Sequence, residues 1–407
     1  MSNNNLHSIV KLYWGQLLAL LIQILKDVEL SEDALQDALE SAFIHWNKNG
    51  IPQNPKAWLL ATAKHKAIDR IRRSKNFEEK KIQYQQLLDI QTDTGIKEDE
   101  FTIPDERLRL IFTCCHPALN TNISVALTLQ LLGGLTTLEI ANAYLVKKDT
   151  MAQRIVRGKR KIKQAGIPYN IPEKLDFDQR LGTVLKVLYL IFNEGYSASN
   201  GDIPIRQSLC NEAIRLTQVL LNLCNNEPEI KGLLALMLLH DSRKATRFNE
   251  SDEFIPLENQ NRSMWNIQQI EQGVSLVQSA LKQKKIGTYQ LQAAISAIHA
   301  ESDDYQSTNW HEITLIYDEI LKINASDVVR LNQLVALSQI KPVNELIKPL
   351  DSLENSLVTY QPFYAVKADF LNKLNNKEKA KIYYQKAIDL CENQKIKHYL
   401  EKKLLNL

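Results

Sequence analysis

Apolar side chains recur along most of the chain at intervals of three and four residues, the period of an α-helix. Strict apolar–polar alternation of the kind that marks a half-buried strand is scarce. The pattern predicts an all-α protein. An amphipathic helix is expected over 8–26. A second is expected to be capped by Ser31, with Glu32 and Asp33 in its first turn, and to run to Trp46. Ala34, Leu35, Ala38, Ala42 and Phe43 form its apolar face, while Asp33, Gln36, Asp37 and Glu40 lie on another. The turn Asn49-Gly50-Ile51-Pro52 closes it, and Pro55 opens a third helix. There Trp58, Leu59, Ala63 and Ile68 are apolar, and Lys64, Lys66, Arg70, Arg72, Arg73 and Lys75 are basic. Trp58 is expected to pack in the core; stacking on a nucleobase would need it exposed.

Pro104 and Asp105 begin a second helical unit. The stretch before it, 76–103, is polar and acidic, carries one weak amphipathic piece near 82–88 and reads as a linker. Within the second unit, residues 136–163 predict two helices joined by a tight turn. Thr136 and Glu139 have the spacing of a capping box. Ile140, Ala141 and Tyr144 supply the apolar stripe of the first helix, 145–146 turn the corner, and Met151, Ile155 and Ile162 point inward from the second. The other faces of that second helix carry Lys148, Arg154, Arg157, Lys159, Arg160, Lys161 and Lys163, opposed only by Asp149. This is the pattern of a helix-turn-helix whose second helix enters a DNA major groove. The alternative is a solvated basic helix end that complements the macrodipole.

A Pro/Gly connector at 166–172 leads into the third and largest part, which reads as degenerate helical hairpins. Ala368, Ala380, Tyr384 and Ala387 fall at tetratricopeptide spacing, and Tyr317 and Ile320 occupy equivalent positions two repeats earlier. Ala213 and the run 232–240 suggest another hairpin, turning at 225–229. The interruption at 246–257 suggests a small β-hairpin around 250–252.

A chain of 407 residues exceeds one core, so two or three domains are expected. The net charge of +3 hides an uneven distribution: basic clusters at 64–75 and 147–163 flank the acidic linker, which suggests two contacts with a polyanion. The start of the chain lacks the pattern of a signal peptide, and the apolar run at 17–25 is too short to span a bilayer. Five cysteines in this length form no disulfide framework, so a reducing cytoplasm is expected. Cys114, Cys115 and His116 lack a fourth ligand at metal-binding spacing and read as buried thiols, so no metal or cofactor is expected. Glu194, Tyr196, His240, Asp241, Arg243, Gln260, Arg262, Gln290, Gln292 and His299 read as hydrogen bonding between repeats, the alternative being a ligand or peptide site. An enzyme built on His240, Asp241 and His299 would lack a nucleophile elbow, phosphate loop or metal triad.

These residues resemble a bacterial RNA polymerase sigma factor of the sigma-70 family, extracytoplasmic-function type. The strings SEDALQDALESAF and NPKAWLLATAKHKAIDRIRR resemble region 2, and LTTLEIANAYLVKKDTMAQRIVRGKRKIK resembles the minus-thirty-five reader of region 4. TCCHPAL, VLYLIFNEGYSAS, GLLALMLLHDSR, YQLQAAISAIHAE and VVRLNQLVAL resemble the group of these factors with a tetratricopeptide-like C-terminal extension. The resemblance implies region 2 at 6–76, the linker at 77–103, region 4 at 104–167 and the extension at 172–407. It implies no catalysis; the partners are core RNA polymerase and promoter DNA, in the bacterial cytoplasm and away from membranes. Asp33, Gln36, Asp37 and Glu40 would face the polymerase. Lys64, Lys66, Arg70, Arg72 and Arg73 would hold phosphates around the minus-ten element. Lys148, Asp149, Thr150, Gln153, Arg154 and Arg157 would lie at the minus-thirty-five bases, with Lys159 and Lys161 at phosphates or solvent. The extension would act in cis on region 2 or 4 in place of a separate anti-sigma partner. The rival reading is a helix-turn-helix regulator with a solenoid sensor, which would bind duplex DNA tightly without polymerase.

Overall fold

The structure, a computed structural model, describes residues 3–73, 103–144, 146–196, 207–224 and 227–407. Helices are the regular elements among them, apart from one isolated bridge between Phe248 and Phe254. They form two compact units, Met1–Leu190 and Ile191–Leu407.

The first unit opens with α1 (Asn3–Leu25), α2 (Val28–Asn49) and α3 (Pro55–Arg73). The amphipathic helix expected over 8–26 is buried on every side over 17–22, and Leu17, Leu18, Leu21 and Leu25 are fully buried. The chain leaves α1 at Lys26, which takes the left-handed conformation (φ 53°) while its N–H closes on the Ile22 carbonyl at 2.8 Å. The cap of α2 differs from expectation. Asp27, not Ser31, accepts from the Leu30 amide at 3.0 Å, and Ser31 sits a turn inside, its hydroxyl donating to the Asp27 carbonyl at 2.6 Å. Both residue types cap well; starting at Val28 adds a turn that also buries Leu30.

Next come α4 (Ile103–Cys114), α5 (Thr121–Leu127) with a π-helical continuation over Thr128–Leu132, α6 (Thr137–Ala143) and α7 (Lys148–Gln164). The capping box forms as expected: the Glu139 carboxylate accepts from the Thr136 amide at 2.7 Å, and the Thr136 hydroxyl accepts from the Glu139 amide at 3.2 Å. Met151, Ile155, Gly158 and Ile162 are the buried face of α7. At Gly158 a Cβ would stand 2.6 Å from Ile123 and 2.8 Å from Leu127, so only glycine lets α7 lie this close to α5.

The stretches expected as separate bodies at 6–76 and 104–167 instead share one core. The α1 helix packs on α4 and on the π-helical turn. Trp14 donates its indole N–H to the Gln130 carbonyl at 3.1 Å, and the Tyr169 hydroxyl bridges the carbonyls of Ala19 and Glu106, each at 3.0 Å. The expected linker falls outside the described residues over 77–102. The first half of α8 (Lys174–Tyr196) belongs to this unit too: Phe177 packs on Phe112 with ring centroids 5.5 Å apart, and Arg180 donates to the Phe112 carbonyl at 2.9 Å.

The second unit is a succession of helical hairpins: α9 (Gln207–Leu223), α10 (Pro228–Asp241), α11 (Ile267–Leu281), α12 (Thr288–Glu301), α13 (Trp310–Ile323), α14 (Asp327–Leu337), α15 (Val343–Asp351), α16 (Gln361–Lys373), α17 (Lys377–Asp389) and α18 (Gln394–Leu405). Most pack on their chain neighbours, and α12 packs chiefly on α10, two helices earlier, a contact pattern that successive hairpins of a solenoid share. In the last full hairpin Ala368, Ala380 and Ala387 are fully buried, letting α16 and α17 approach, and Tyr384 fills the space and donates to Asp369. Ile320 is likewise buried in α13. The interruption at 246–257 is a tight turn with a single bridge: Asn249 and Glu253 pair their backbones at 3.0 Å.

Candidate nucleic-acid interface

On α2, residues 33, 36, 37 and 40 fall on one face by helical spacing. Asp33, Gln36 and Glu40 are exposed and Asp37 is half-buried. The structure joins this acidic face to the basic one of α3. Arg70 grips Asp37 bidentately, with Nε to Oδ2 at 2.7 Å and Nη2 to Oδ1 at 2.9 Å, and its Nη1 donates to Asp33 at 2.8 Å. The Arg70 guanidinium accordingly holds the Asp37 carboxyl below its ordinary range. Arg70, expected at phosphates, is thus paired with two residues expected at polymerase. Arg72 and Arg73 are exposed at the end of α3, whereas Lys64 and Lys66 are half-buried, and desolvation lowers the Lys64 pKa. Trp58 is half-buried and packs edge-on against Trp46 with centroids 5.3 Å apart, as a core residue would. Phe43, expected on the apolar face, is 47% exposed beside Ile44 at 61%, which leaves an apolar patch next to the acidic face.

On α7, Lys148, Asp149, Thr150, Gln153, Arg157 and Lys161 are exposed, and Arg154 is half-buried in a notch with Ile140, Tyr144 and Met151. One expected residue is elsewhere. Lys159 turns away from this face and forms an ion pair with Glu32 of α2, in which the two side chains are only 13% and 6% exposed. A lysine committed to a dry carboxylate is not offered to a phosphate. Glu32 reads as a first-turn acid, yet it stands in helical register with Leu35, Ala42 and Trp46, all buried. A carboxylate on an apolar stripe calls for a buried cation.

The remaining polar clusters are internal. Cys114 and Cys115 are buried, and desolvation pushes the Cys115 thiol up to about 12, so neither offers a thiolate. His116 accepts from the Ala118 amide through Nδ1 at 3.1 Å. No group of three or more metal-ligating side chains occurs among the described residues. In the second unit Asp241 accepts from Gln207 at 2.9 Å, Gln269 at 2.8 Å and Lys244 at 2.8 Å. His240 meets Ser296 at 3.2 Å, Gln290 donates to Glu229 at 3.1 Å, and Arg262 donates to the carbonyls of His299 and Ser302 at 2.6 and 2.8 Å. These bonds tie successive hairpins together. No described helix is long and apolar enough to cross a membrane.

Two family models match the chain. The sigma-70 region 2 model covers residues 9–77, whose described part lies in α1 to α3, and a family of unknown function, DUF6596, covers residues 180–281. A protein of Rhizobium meliloti (strain 1021), described as uncharacterized, is 34% identical over 396 residues, spanning 96% of this chain and 93% of that one. The chain therefore belongs to the same family as that Rhizobium protein, and its N-terminal helices are a sigma-70 region 2 domain.

Proposed function

We propose that the protein is a sigma factor of the extracytoplasmic-function type, a non-enzymatic subunit that docks on core RNA polymerase in the bacterial cytoplasm and directs it to promoters. The observation that carries this reading is the sigma-70 region 2 match over α1 to α3, in a chain that presents a second exposed cationic helix, α7. In this reading Asp33, Gln36, Asp37 and Glu40 meet the polymerase. Lys64, Lys66, Arg72 and Arg73 hold the backbone at the minus-ten element. Arg70 joins them by exchange: cations of the polymerase take over Asp33 and Asp37, and the freed guanidinium turns to phosphate.

Helices α6 and α7 act as the helix-turn-helix of region 4. Lys148, Asp149, Thr150, Gln153, Arg154 and Arg157 approach base edges at the minus-thirty-five element, and Lys161 approaches phosphate. Lys159 drops out of that set. The second unit is a tetratricopeptide-like extension that tunes the factor in cis, without a separate anti-sigma partner. The test is reconstitution: the full chain should co-elute with core polymerase lacking its own specificity subunit and give discrete transcript starts on genomic DNA. Failure to co-elute would end this reading.

A further inference from the structure

The second unit holds two neighbouring guanidinium groups with no counter-charge. Arg247 is only 7% exposed, yet among the described residues no carboxylate pairs with it. Its Nη1 donates to the Tyr196 carbonyl, and its guanidinium carbon stands 3.9 Å from the centroid of the Tyr196 ring and 5.7 Å from that of Phe248. A carbonyl and two rings satisfy donors but leave a full positive charge in place. Arg243 is half-buried, 5.9 Å from the same Tyr196 ring, and its guanidinium makes no hydrogen bond or ion pair to a described residue. Desolvation first, and then the charge of Arg243, lower the Arg247 pKa, but an arginine stays protonated at neutral pH. Buried charges are normally paired, because stranding one out of water is costly. Two side by side without a carboxylate call for an anion that comes from solution.

The surroundings fit an acceptor-rich ligand. The Tyr196 hydroxyl is buried without a hydrogen-bond partner, and so is His299 Nδ1. Desolvation, with Arg243 and Arg262 adding to it, brings His299 down to about 4, and desolvation with Arg243 and Arg247 holds His240 well below its ordinary value. Both imidazoles are therefore neutral at neutral pH, and the arginines set the charge. Other ionic groups nearby are already committed. Asp241 accepts from Gln207, Gln269 and Lys244, and Arg262 donates to the carbonyls of His299 and Ser302 and to the Thr308 hydroxyl. A phosphate group near neutral pH carries about two negative charges and at least three acceptor oxygens. Two guanidiniums balance that charge and a phenol O–H takes a further oxygen, whereas a carboxylate brings one charge and a planar pair of oxygens.

We propose that Arg243, Arg247 and the Tyr196 hydroxyl form a binding site for a phosphate group, carried by a small phosphomonoester or free in solution. The site lies wholly in the second unit and stands whether or not the chain is a sigma factor. In the test, the full chain, dialysed free of phosphate, is titrated calorimetrically with inorganic phosphate, glycerol 3-phosphate and sodium acetate at one fixed ionic strength. A phosphate compound should bind saturably, one per chain, with acetate at least about tenfold weaker. Tighter binding of glycerol 3-phosphate supports the site with an ester as its ligand, and tighter binding of phosphate supports it with the free ion. Arg243→Gln should weaken binding by at least about tenfold, and Tyr196→Phe severalfold. No saturable binding of either phosphate compound, acetate bound as tightly, or an affinity unchanged in Arg243→Gln would each overturn the site.

Thermal melting of the same full-length proteins separates binding from bracing. Without phosphate, Arg243→Gln should melt no lower than wild type, because it relieves like-charge repulsion beside Arg247. Saturating phosphate should raise the wild-type midpoint by several degrees and leave the variant where it was. A variant that melts lower than wild type by the same amount with and without phosphate would make Arg243 a brace for Tyr196, and the site would fall.

Discussion

At Arg70 one guanidinium satisfies two carboxylates, and what that fork contributes depends on pH. The bond from Arg70 holds Asp37 below the ordinary aspartate value. A depressed folded-state pKa means that the unfolded chain takes up the proton first as pH falls. The pair therefore contributes fully above about pH 4 and is lost as pH drops through the lower folded value. Its side chains are 41% and 27% exposed, so the contribution is about 1 kcal/mol or less. Urea titrations of wild type and Arg70→Ala should show a constant stability gap from neutral pH down to about 5 that shrinks below about 4; a gap that widens in acid would contradict the pairing. On α7 the expected signature is differential. Arg154→Ala should relax preference at one base position by about 1–3 kcal/mol, whereas Lys161→Ala should weaken all promoters alike, read by binding selection on randomised minus-thirty-five boxes. Equal discrimination in both variants would remove Arg154 from base reading.

At the scale of elements, the seat of α7 on α5 leaves no room for a side chain at Gly158. Gly158→Ala gains about 1 kcal/mol of helix propensity. It also drives a methyl to 2.6 Å from Ile123 and 2.8 Å from Leu127, and overpacking of this kind costs about 1–3 kcal/mol. Leu127 is fully buried and has nowhere to move, so the second effect should win. Denaturant unfolding should show net destabilisation, and a stabilised variant would mean that α7 sits more loosely than described. Most elements were legible beforehand because their cues are local: the Thr136–Glu139 capping box, Gly50 and Pro55 between α2 and α3, the small residues of α16 and α17. The choice of Asp27 over Ser31 was not, because two good caps lie within one turn and burial of Leu30 decides between them. Lys159 was not legible either. Within a run of cations it reads as solvated, and its partner lies 127 positions earlier in the chain.

At the scale of the molecule, the division between the units decides how the extension can be tested. The sequence places the start of the extension at 172, after a Pro/Gly connector, yet the first unit runs to Leu190 and uses Phe177 and Arg180 against Phe112. A deletion of 172–407 therefore removes two kinds of thing at once: the hairpins, and a ring and a guanidinium that cover α4. The ring and guanidinium together are worth on the order of 2 kcal/mol of packing. Deleting 191–407 removes the hairpins and leaves those contacts. The longer deletion should melt several degrees below the shorter one, by circular dichroism on both. With folding controlled in this way, any change in promoter-directed transcription between the full chain and the 191–407 deletion belongs to the extension itself. Loss of output would make the extension an activator, and a rise would make it an inhibitor. Identical output, from a shorter chain shown to be folded, would mean that the helical hairpins take no part in regulating the factor in cis.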